Sequence, residues 1–225
     1  MKNKTLNWWC KRAWIYFECS ISFIMMFFLL LNWNIWGTDL KVIASIAILI
    51  PLHVIEEWIF PGGFHYQYNV GLFNSNKPNH YPMCRLSDMF TNTLATLLYI
   101  ALTFICTTDN GNVPTGFLLG TAIFSMLELF MHTLMGIKMY IRFRKKGKTT
   151  IYGPGSITAY FGFVPLGIIA VYCISEKTII LTDWIICLGI LLFIGVICIL
   201  IPENTIKKKE SPYFFESEGY YKRFL

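Results

Sequence analysis

Six long apolar stretches, separated by short polar segments, dominate the chain. They cover approximately residues 13–36, 40–60, 89–107, 114–141, 157–174 and 178–201. A helix needs about 20 mostly apolar residues to cross a bilayer, and each stretch is close to that length. Backbone polar groups inside a membrane must be satisfied within the segment, which favours α-helix. The pattern predicts an all-α, polytopic membrane protein with about six transmembrane helices.

Composition agrees with a single membrane domain. The chain has 225 residues, of which 55% are hydrophobic and only 14% charged, and its mean hydropathy is +0.52. These values lie outside the usual range for soluble domains. The stretches take up more than half of the chain, so we expect one domain over residues 1–225. A long loop at 61–87 and a tail at 202–225 complete it.

The distribution of basic residues predicts the orientation. Sixteen of the 19 Lys and Arg residues lie in the N-terminal segment, the second and fourth connections and the tail. The positive-inside rule therefore places both termini, the loop 61–87 and the tail in the cytoplasm. The basic clusters at 142–148 and 207–209 are expected to contact anionic lipid headgroups. Because topology accounts for the net charge of +6, we expect no nucleic-acid partner.

Three other segments carry simpler expectations. The first stretch is too long for a signal peptide and no small-x-small cleavage site follows it, so it should remain as a helix. Aromatic residues in the loop 61–87 favour interfacial anchoring, although a connection of this length can also form a lid. The tail segment 211–225 is expected to lie on the headgroups. The seven cysteines are interpreted as small hydrophobic residues.

Histidine and carboxylate side chains recur inside two of the apolar stretches. In "HVIEE", His53 precedes Glu56 by three residues and Glu57 by four, so the three side chains share one helix face. Glu128 and His132 are also four apart, and Glu128 lies far from either end of its stretch. Ionisable residues in such positions mark functional sites. With the rise of a helix, both histidines lie at a similar depth, which predicts one shared pocket.

These residue types predict a divalent metal site. Imidazole combined with carboxylate suits zinc, iron or manganese. For one metal, the expected ligands are His53, Glu57, Glu128 and His132. Glu56 would then be free to act as a general base, whereas with two metals either Glu56 or Glu57 would bridge them. Glu56 and Glu57 are therefore the candidate catalytic residues.

Three further polar residues lie at the same predicted side of the membrane. Asp88 and Asn92 share a face at the start of the third span. Asp88 is expected to be a helix N-cap, with a role in supporting the metal ligands as the alternative. Asn92 suits either a bond between helices or the same supporting role. Tyr152 opens the turn "YGPGS" that leads into the fifth span, and it is the third candidate for such support.

The order of these motifs resembles a known family. "HVIEE", a histidine in a later span and the Tyr-x-Pro-Gly turn "YGPGS" are similar to the HXXEE-motif family of bacterial membrane proteins. The resemblance runs from about His53 to Pro165. The family turn is usually Asn-Pro-Gly, and here Gly153 takes the asparagine position. The resemblance implies a multi-pass protein of the bacterial inner membrane, and it implies no particular activity.

The sequence favours a membrane-embedded, metal-dependent enzyme with its site near the cytoplasmic leaflet. We expect the substrate to be a lipid or another membrane-soluble molecule, and hydrolysis is slightly favoured over di-iron oxidation. A proton or metal transporter is the first alternative, although the polar residues cluster on one side of the membrane. A haem protein with His53 and His132 as axial ligands and a protein with a purely structural polar cluster are the others.

Overall fold

The computed structural model describes residues 4–225, and residues 1–3, including the basic Lys2, lie outside the described part. Six helices are long and apolar enough to cross a membrane, and no strand occurs among residues 4–225. The predicted all-α, six-span class is therefore confirmed, while the side of the membrane that the termini face stays a prediction. The six helices are α1 (Lys4–Leu31), α2 (Thr38–Trp58), α4 (Arg85–Thr108), α5 (Thr115–Lys146), α6 (Ser156–Ser175) and α7 (Leu181–Ile206). A short helix, α3 (Phe64–Gly71), and a 3₁₀ turn at Gly219–Phe224 are the other elements named below.

The first helix differs most from its predicted span. It begins at Lys4 instead of near residue 13, and it ends at Leu31 instead of near residue 36. Hydropathy marks the part of a helix that suits lipid, whereas the basic and aromatic residues before it also continue a helix readily. At the other end, a turn over residues 32–36 leads to Gly37, which has an extended backbone and precedes α2.

Close packing between α5 and the first half of α7 depends on small residues. A side chain at Gly116 would collide with Ile186, and one at Gly120 would press on Ile190. The backbone N–H of Gly116 also donates to Oδ1 of Asp183, at 3.1 Å. Small residues allow helix backbones to approach closely in membranes. The two helices are therefore tightly joined at the end of the bundle opposite to the termini.

Hydroxyl side chains from neighbouring helices bond to backbone carbonyls near Pro51 of α2 and in a π-helical stretch of α7. Pro51 cannot donate a hydrogen bond within α2, and nearby the Ser22 hydroxyl of α1 donates to the Ile48 carbonyl at 3.0 Å. The second half of α7 contains a π-helical stretch at Phe193–Leu200. There the Thr91 hydroxyl of α4 donates to the Cys198 carbonyl at 2.8 Å. Such bonds join neighbouring helices within the bundle.

The tail folds back onto the loop 61–87, so the prediction that it lies on the headgroups is wrong for its buried aromatic residues. Phe215 is buried and stacks on His65, with ring centroids 3.7 Å apart. Tyr221 is fully buried and donates its hydroxyl to Oε1 of Gln67 on α3. The backbone N–H of Tyr220 donates to the Gly62 carbonyl at 3.0 Å. Aromatic side chains that could anchor in headgroups instead pack against one another.

Lys148 also departs from its predicted role in the basic cluster 142–148. Its side chain is only 2% exposed, and its Nζ donates to the Tyr152 carbonyl and to the Tyr220 hydroxyl, the latter at 3.3 Å. The ammonium lies 4.7 Å from the ring centroid of Tyr220, which is a cation–π contact. Burial lowers the pKa of Lys148 to about 8. Lys148 therefore binds the tail and is not available to lipid headgroups.

Candidate metal centre

The four predicted ligands come together from α2 and α5. Nε2 of His53 lies 3.2 Å from Oε1 of Glu57 and 3.6 Å from Oε2 of Glu128. Nε2 of His132 lies 3.5 Å from each of the same two oxygens. The two imidazole rings meet edge to face, with centroids 4.9 Å apart. Each nitrogen thus has two carboxylate oxygens beside it, one from α2 and one from α5.

These separations are compatible with ligands around one metal ion. Zinc bonds to nitrogen and oxygen measure about 2.0–2.2 Å, so neighbouring ligand atoms in a tetrahedral site lie roughly 3.3–3.6 Å apart. Ligand atoms of His53, Glu57 and His132 all lie within 4.8 Å of one another, and the three residues are buried. The Glu128 side chain is 24% exposed. The geometry therefore groups three buried candidate ligands and places Glu128 at the margin.

A hydrogen-bond relay fixes the orientation of His53. Nδ1 of His53 lies 2.6 Å from the hydroxyl of Thr158, at the start of α6. That hydroxyl has two other neighbours, Oε2 of Glu56 at 2.6 Å and the Gly155 carbonyl at 3.2 Å, and it donates its single proton to one of them. Its oxygen must then accept a proton from Nδ1, because two facing lone pairs would repel. In the neutral imidazole this assignment leaves a lone pair on Nε2 of His53, the atom beside the Glu57 and Glu128 carboxylates.

Glu56 binds the first turn of α6. Its Oε1 accepts the backbone N–H of Ile157 at 3.0 Å, and its Oε2 accepts that of Thr158 at 2.9 Å. The first turn of a helix has unpaired N–H groups that favour a carboxylate partner. Both oxygens of Glu56 are occupied in this way, and the side chain does not line the central cavity. Its contacts favour positioning over the predicted general-base role.

The turn before α6 also approaches His132. Gly155 has φ +88°, and a Cβ at this position would collide with the His132 imidazole. On its other side, His132 packs against Phe64, with ring centroids 5.3 Å apart. Nδ1 of His132 is buried and has no hydrogen-bond partner among residues 4–225. The ring is thus held mainly by packing, unlike that of His53.

A cavity of about 140 Å³ adjoins the four candidate ligands. Its wall is mostly apolar and includes Phe124, Phe163 and Ile194, together with two further carboxylates, Asp88 and Glu203. Among residues 4–225, no lysine or arginine lines it. An uncompensated group of carboxylates in a low-dielectric region favours a cation.

The cavity extends between α5 and the second half of α7. The two helices are joined near Gly116 and Gly120, whereas further along α7 packs on α4 through Cys198. Met131 of α5 and Ile199 of α7 line the cavity there. Leu127 and Phe130, next to Glu128, are exposed on the outer surface of the bundle. The centre therefore lies close to the face that lipid would contact.

Asp88 is not a helix N-cap, because Cys84 occupies that position in α4. The Asp88 carboxylate instead accepts the Trp58 indole N–H at 2.6 Å and the Asn92 amide N–H at 3.0 Å. Both Asp88 and Asn92 line the cavity. They belong to the same polar wall as the ligands, but neither forms a hydrogen bond to His53 or His132 among the described residues.

Tyr152 contacts the centre only through Glu56. Its hydroxyl donates to Oε1 of Glu56 at 3.3 Å.

At Gly153, a Cβ would collide with the side-chain amide of Gln67 on α3. Gln67 is fully buried, and its side-chain amide occupies the space that a side chain at position 153 would need.

Four residues with clear structural roles escaped the sequence analysis. Thr158 and Gln67 carry no signal of their own, because their roles depend on contacts with distant segments. Glu18 is 1% exposed within α1 and faces the hydroxyls of Thr93 and Thr96. The position of Glu18, a carboxylate inside an apolar stretch, is a signal that the sequence offers, whereas Glu203 follows the predicted last stretch and carries no such signal.

Comparison with protein families matches residues 44–170 to a family described as protein of unknown function with HXXEE motif. The match covers more than half of the chain. The chain belongs to the HXXEE family. Comparison with curated proteins and with solved structures finds no match. The matched HXXEE region contains all four residues of the candidate centre and the turn that leads into α6, while Glu18, Glu203 and the tail lie outside it.

Proposed function

We propose that this HXXEE protein is a membrane-embedded, metal-dependent enzyme, and that it hydrolyses a lipid or another membrane-soluble molecule. The observation that carries the proposal is the arrangement of two Nε2 atoms and two carboxylate oxygens, in which each nitrogen lies 3.2–3.6 Å from both oxygens. Two histidines and one glutamate form a ligand set that zinc hydrolases use. A divalent ion at this point would also offset the carboxylates of the cavity.

In the proposed arrangement, His53, Glu57 and His132 hold the metal, and Glu128 serves as the general base. Glu128 has the more exposed side chain and faces the cavity. A divalent metal supplies Lewis acidity to the group under attack. Glu128 takes a proton from the attacking water and returns it to the leaving group. Glu56 has a different task, which is to hold Thr158 and thereby orient His53.

The surroundings of the candidate centre support the proposed substrate class. The cavity is small and its wall is mostly apolar, and it lies beside lipid-facing residues such as Leu127. A substrate with an apolar body could enter between α5 and α7 directly from the membrane. The scissile bond would then stop at the polar wall formed by Glu57 and Glu128.

An oxidoreductase with two metals is the second candidate. Asp88 and Glu203 line the same cavity as the four ligands, and pairs of iron or manganese ions in helical bundles are bound by several carboxylates with two histidines. The number and identity of bound metals separates the two candidates. One equivalent of zinc favours hydrolysis, and about two equivalents of iron would favour oxidation.

The experiment is metal analysis of the purified full-length protein by elemental mass spectrometry. We expect a near-stoichiometric transition metal that is lost in His53→Ala and His132→Ala. His80→Ala is the matched control, since His80 lies in the loop and bonds to the Ser211 carbonyl. Glu128→Gln should retain the metal, which distinguishes a base from a required ligand. If wild-type protein holds no metal and binds none on addition of zinc, iron or manganese, the proposal is overturned.

A further inference from the structure

A second cavity, away from the candidate metal centre, is lined in part by an incompletely bonded arginine. Arg85, the first residue of α4, is 4% exposed. Its Nη2 donates to Oδ1 of Asn7 at 3.0 Å, but its Nε and Nη1 are buried and have no hydrogen-bond partner among residues 4–225. A buried guanidinium without its partners is costly. The position calls for an acceptor that carries negative charge.

Two more cations line the same cavity, which measures about 260 Å³. Lys11 and Arg12 of α1 both lie on its wall and are otherwise exposed. Glu216 of the tail is the only acidic residue among those lining it, and it pairs with Lys11 at 2.8 Å. Three cations thus face one carboxylate, so the cavity has an excess of positive charge.

The carboxylate of Glu216 is an anion that the basic cavity already stabilises. The hydrogen bond from Lys11 lowers the pKa of Glu216, and Arg85 and Arg12 add to this effect. The Glu216 side chain is 57% exposed, and that of Lys11 is 50% exposed. Exposed ion pairs of this kind contribute little stability. Another anion with more oxygen atoms could therefore replace the carboxylate at little cost.

The cavity also lies at the level where headgroups are expected. It is at the end of the bundle where α1 and α4 begin and α2 ends. Trp8, one turn before Lys11 and Arg12, is 65% exposed, which is typical of an interfacial aromatic residue. Basic pockets between helices at this level bind phosphorylated headgroups.

We propose that Arg85, Lys11 and Arg12 form a binding site for a phosphate group. Arginine favours phosphate because its planar guanidinium offers several donors in a fixed geometry. The phosphate can belong to an anionic lipid headgroup or to free inorganic phosphate, since both present the same oxygens. The site is separate from the metal centre and does not depend on the metal. Trp58 lies between the two, as it lines this cavity and donates to Asp88 in the other.

The test uses the full chain in a neutral detergent, with binding followed by thermal stability. Two probes are titrated separately: inorganic phosphate and dioctanoyl phosphatidylglycerol, with dioctanoyl phosphatidylcholine as the zwitterionic reference. Saturation by inorganic phosphate assigns the site to free phosphate, and saturation by phosphatidylglycerol alone assigns it to a headgroup. If neither probe gives saturable binding, the site does not exist.

Variants connect the binding to the cavity. Arg12→Gln and Arg85→Gln should each weaken binding by roughly tenfold, the effect of losing one charge-assisted contact. Glu216→Gln should strengthen it several-fold by removing the competing carboxylate, a gain that a folding defect cannot mimic. Lys145→Gln, an exposed lysine outside the cavity, is the matched control. Equal affinities in wild type, Arg12→Gln and Glu216→Gln would refute the proposal even if Arg85→Gln fails to fold.

Discussion

Nδ1 of His53 lies 2.6 Å from the hydroxyl of Thr158, which joins α2 to the first turn of α6 at the edge of the candidate metal centre. The same hydroxyl lies 2.6 Å from Oε2 of Glu56. The HVIEE motif therefore contributes both a candidate ligand, His53, and the carboxylate that contacts it through Thr158. Partners outside the ligand shell set the tautomer of metal-binding histidines in this way.

Removal of the Thr158 hydroxyl should weaken metal binding without removing a ligand. Thr158→Val keeps the side-chain shape, but it deprives Nδ1 of His53 of its acceptor, so we expect metal affinity to fall by roughly 10–100-fold. Thr158→Ser should stay close to wild type. Competition with a chromogenic chelator measures the affinities, and Thr205→Val, at an exposed threonine of α7, is the control. A Thr158→Val protein with wild-type affinity would show that the relay does not orient His53.

Gly155→Ala should disturb the centre through His132. The backbone at Gly155 has φ +88°, and the added methyl group would collide with the imidazole. Strain and overpacking together should lower the free energy of unfolding by about 2 kcal/mol or more, and the metal content should decrease. Gly189→Ala is a suitable control, because nothing lies within 4 Å of a Cβ there. Equal thermal stability of the two variants would contradict the close approach of the turn to His132.

Gly153 and Gln67 should behave as a coupled pair. Gly153→Asn alone introduces a side chain into the space of the Gln67 amide, and overpacking of this kind costs about 1–3 kcal/mol. Gln67→Ala alone leaves a void beneath the Tyr221 hydroxyl. We expect the double variant Gly153→Asn/Gln67→Ala to be more stable than the sum of the single effects indicates, which a thermal double-mutant cycle measures. Strict additivity would show that the two positions do not share the space.

His65 should make the folded protein sensitive to acid. Burial lowers the pKa of His65 from 6.5 to about 3, and the ring is stacked on Phe215. Between these values the unfolded chain binds a proton that the folded chain does not, so stability falls as the pH decreases below 6.5. The loss is about 1.4 kcal/mol per pH unit for this group.

The measurement compares melting temperatures of wild type and His65→Phe at pH 7.5 and pH 5. Phenylalanine retains a ring to stack on Phe215 but cannot be protonated, so its melting temperature should fall less on acidification than that of wild type. Identical decreases in the two proteins would exclude His65 as the source of the acid sensitivity.

The sequence by itself determined the fold class and pointed to the His/Glu pairs of the candidate centre. Apolar stretches of bilayer length have few structural solutions, because the membrane leaves backbone groups no partner except the helix itself. The spacing of His53 and Glu57, like that of Glu128 and His132, follows directly from the helical repeat. Local periodicity is sufficient for the fold class and for each pair, whereas the meeting of the two pairs depends on how α2 and α5 pack.

Only the tertiary structure decided which partner each of those side chains contacts. Glu56 and Glu57 are neighbours on one helix, yet one faces the first turn of α6 and the other faces His132. Asp88 looked like a helix cap, but its carboxylate is bonded to Trp58 and Asn92. The tail was expected on the headgroups, but Phe215 and Tyr221 found aromatic partners in the loop 61–87. Each outcome depends on which helix end or ring lies opposite a side chain, and packing between segments far apart in the chain sets that arrangement.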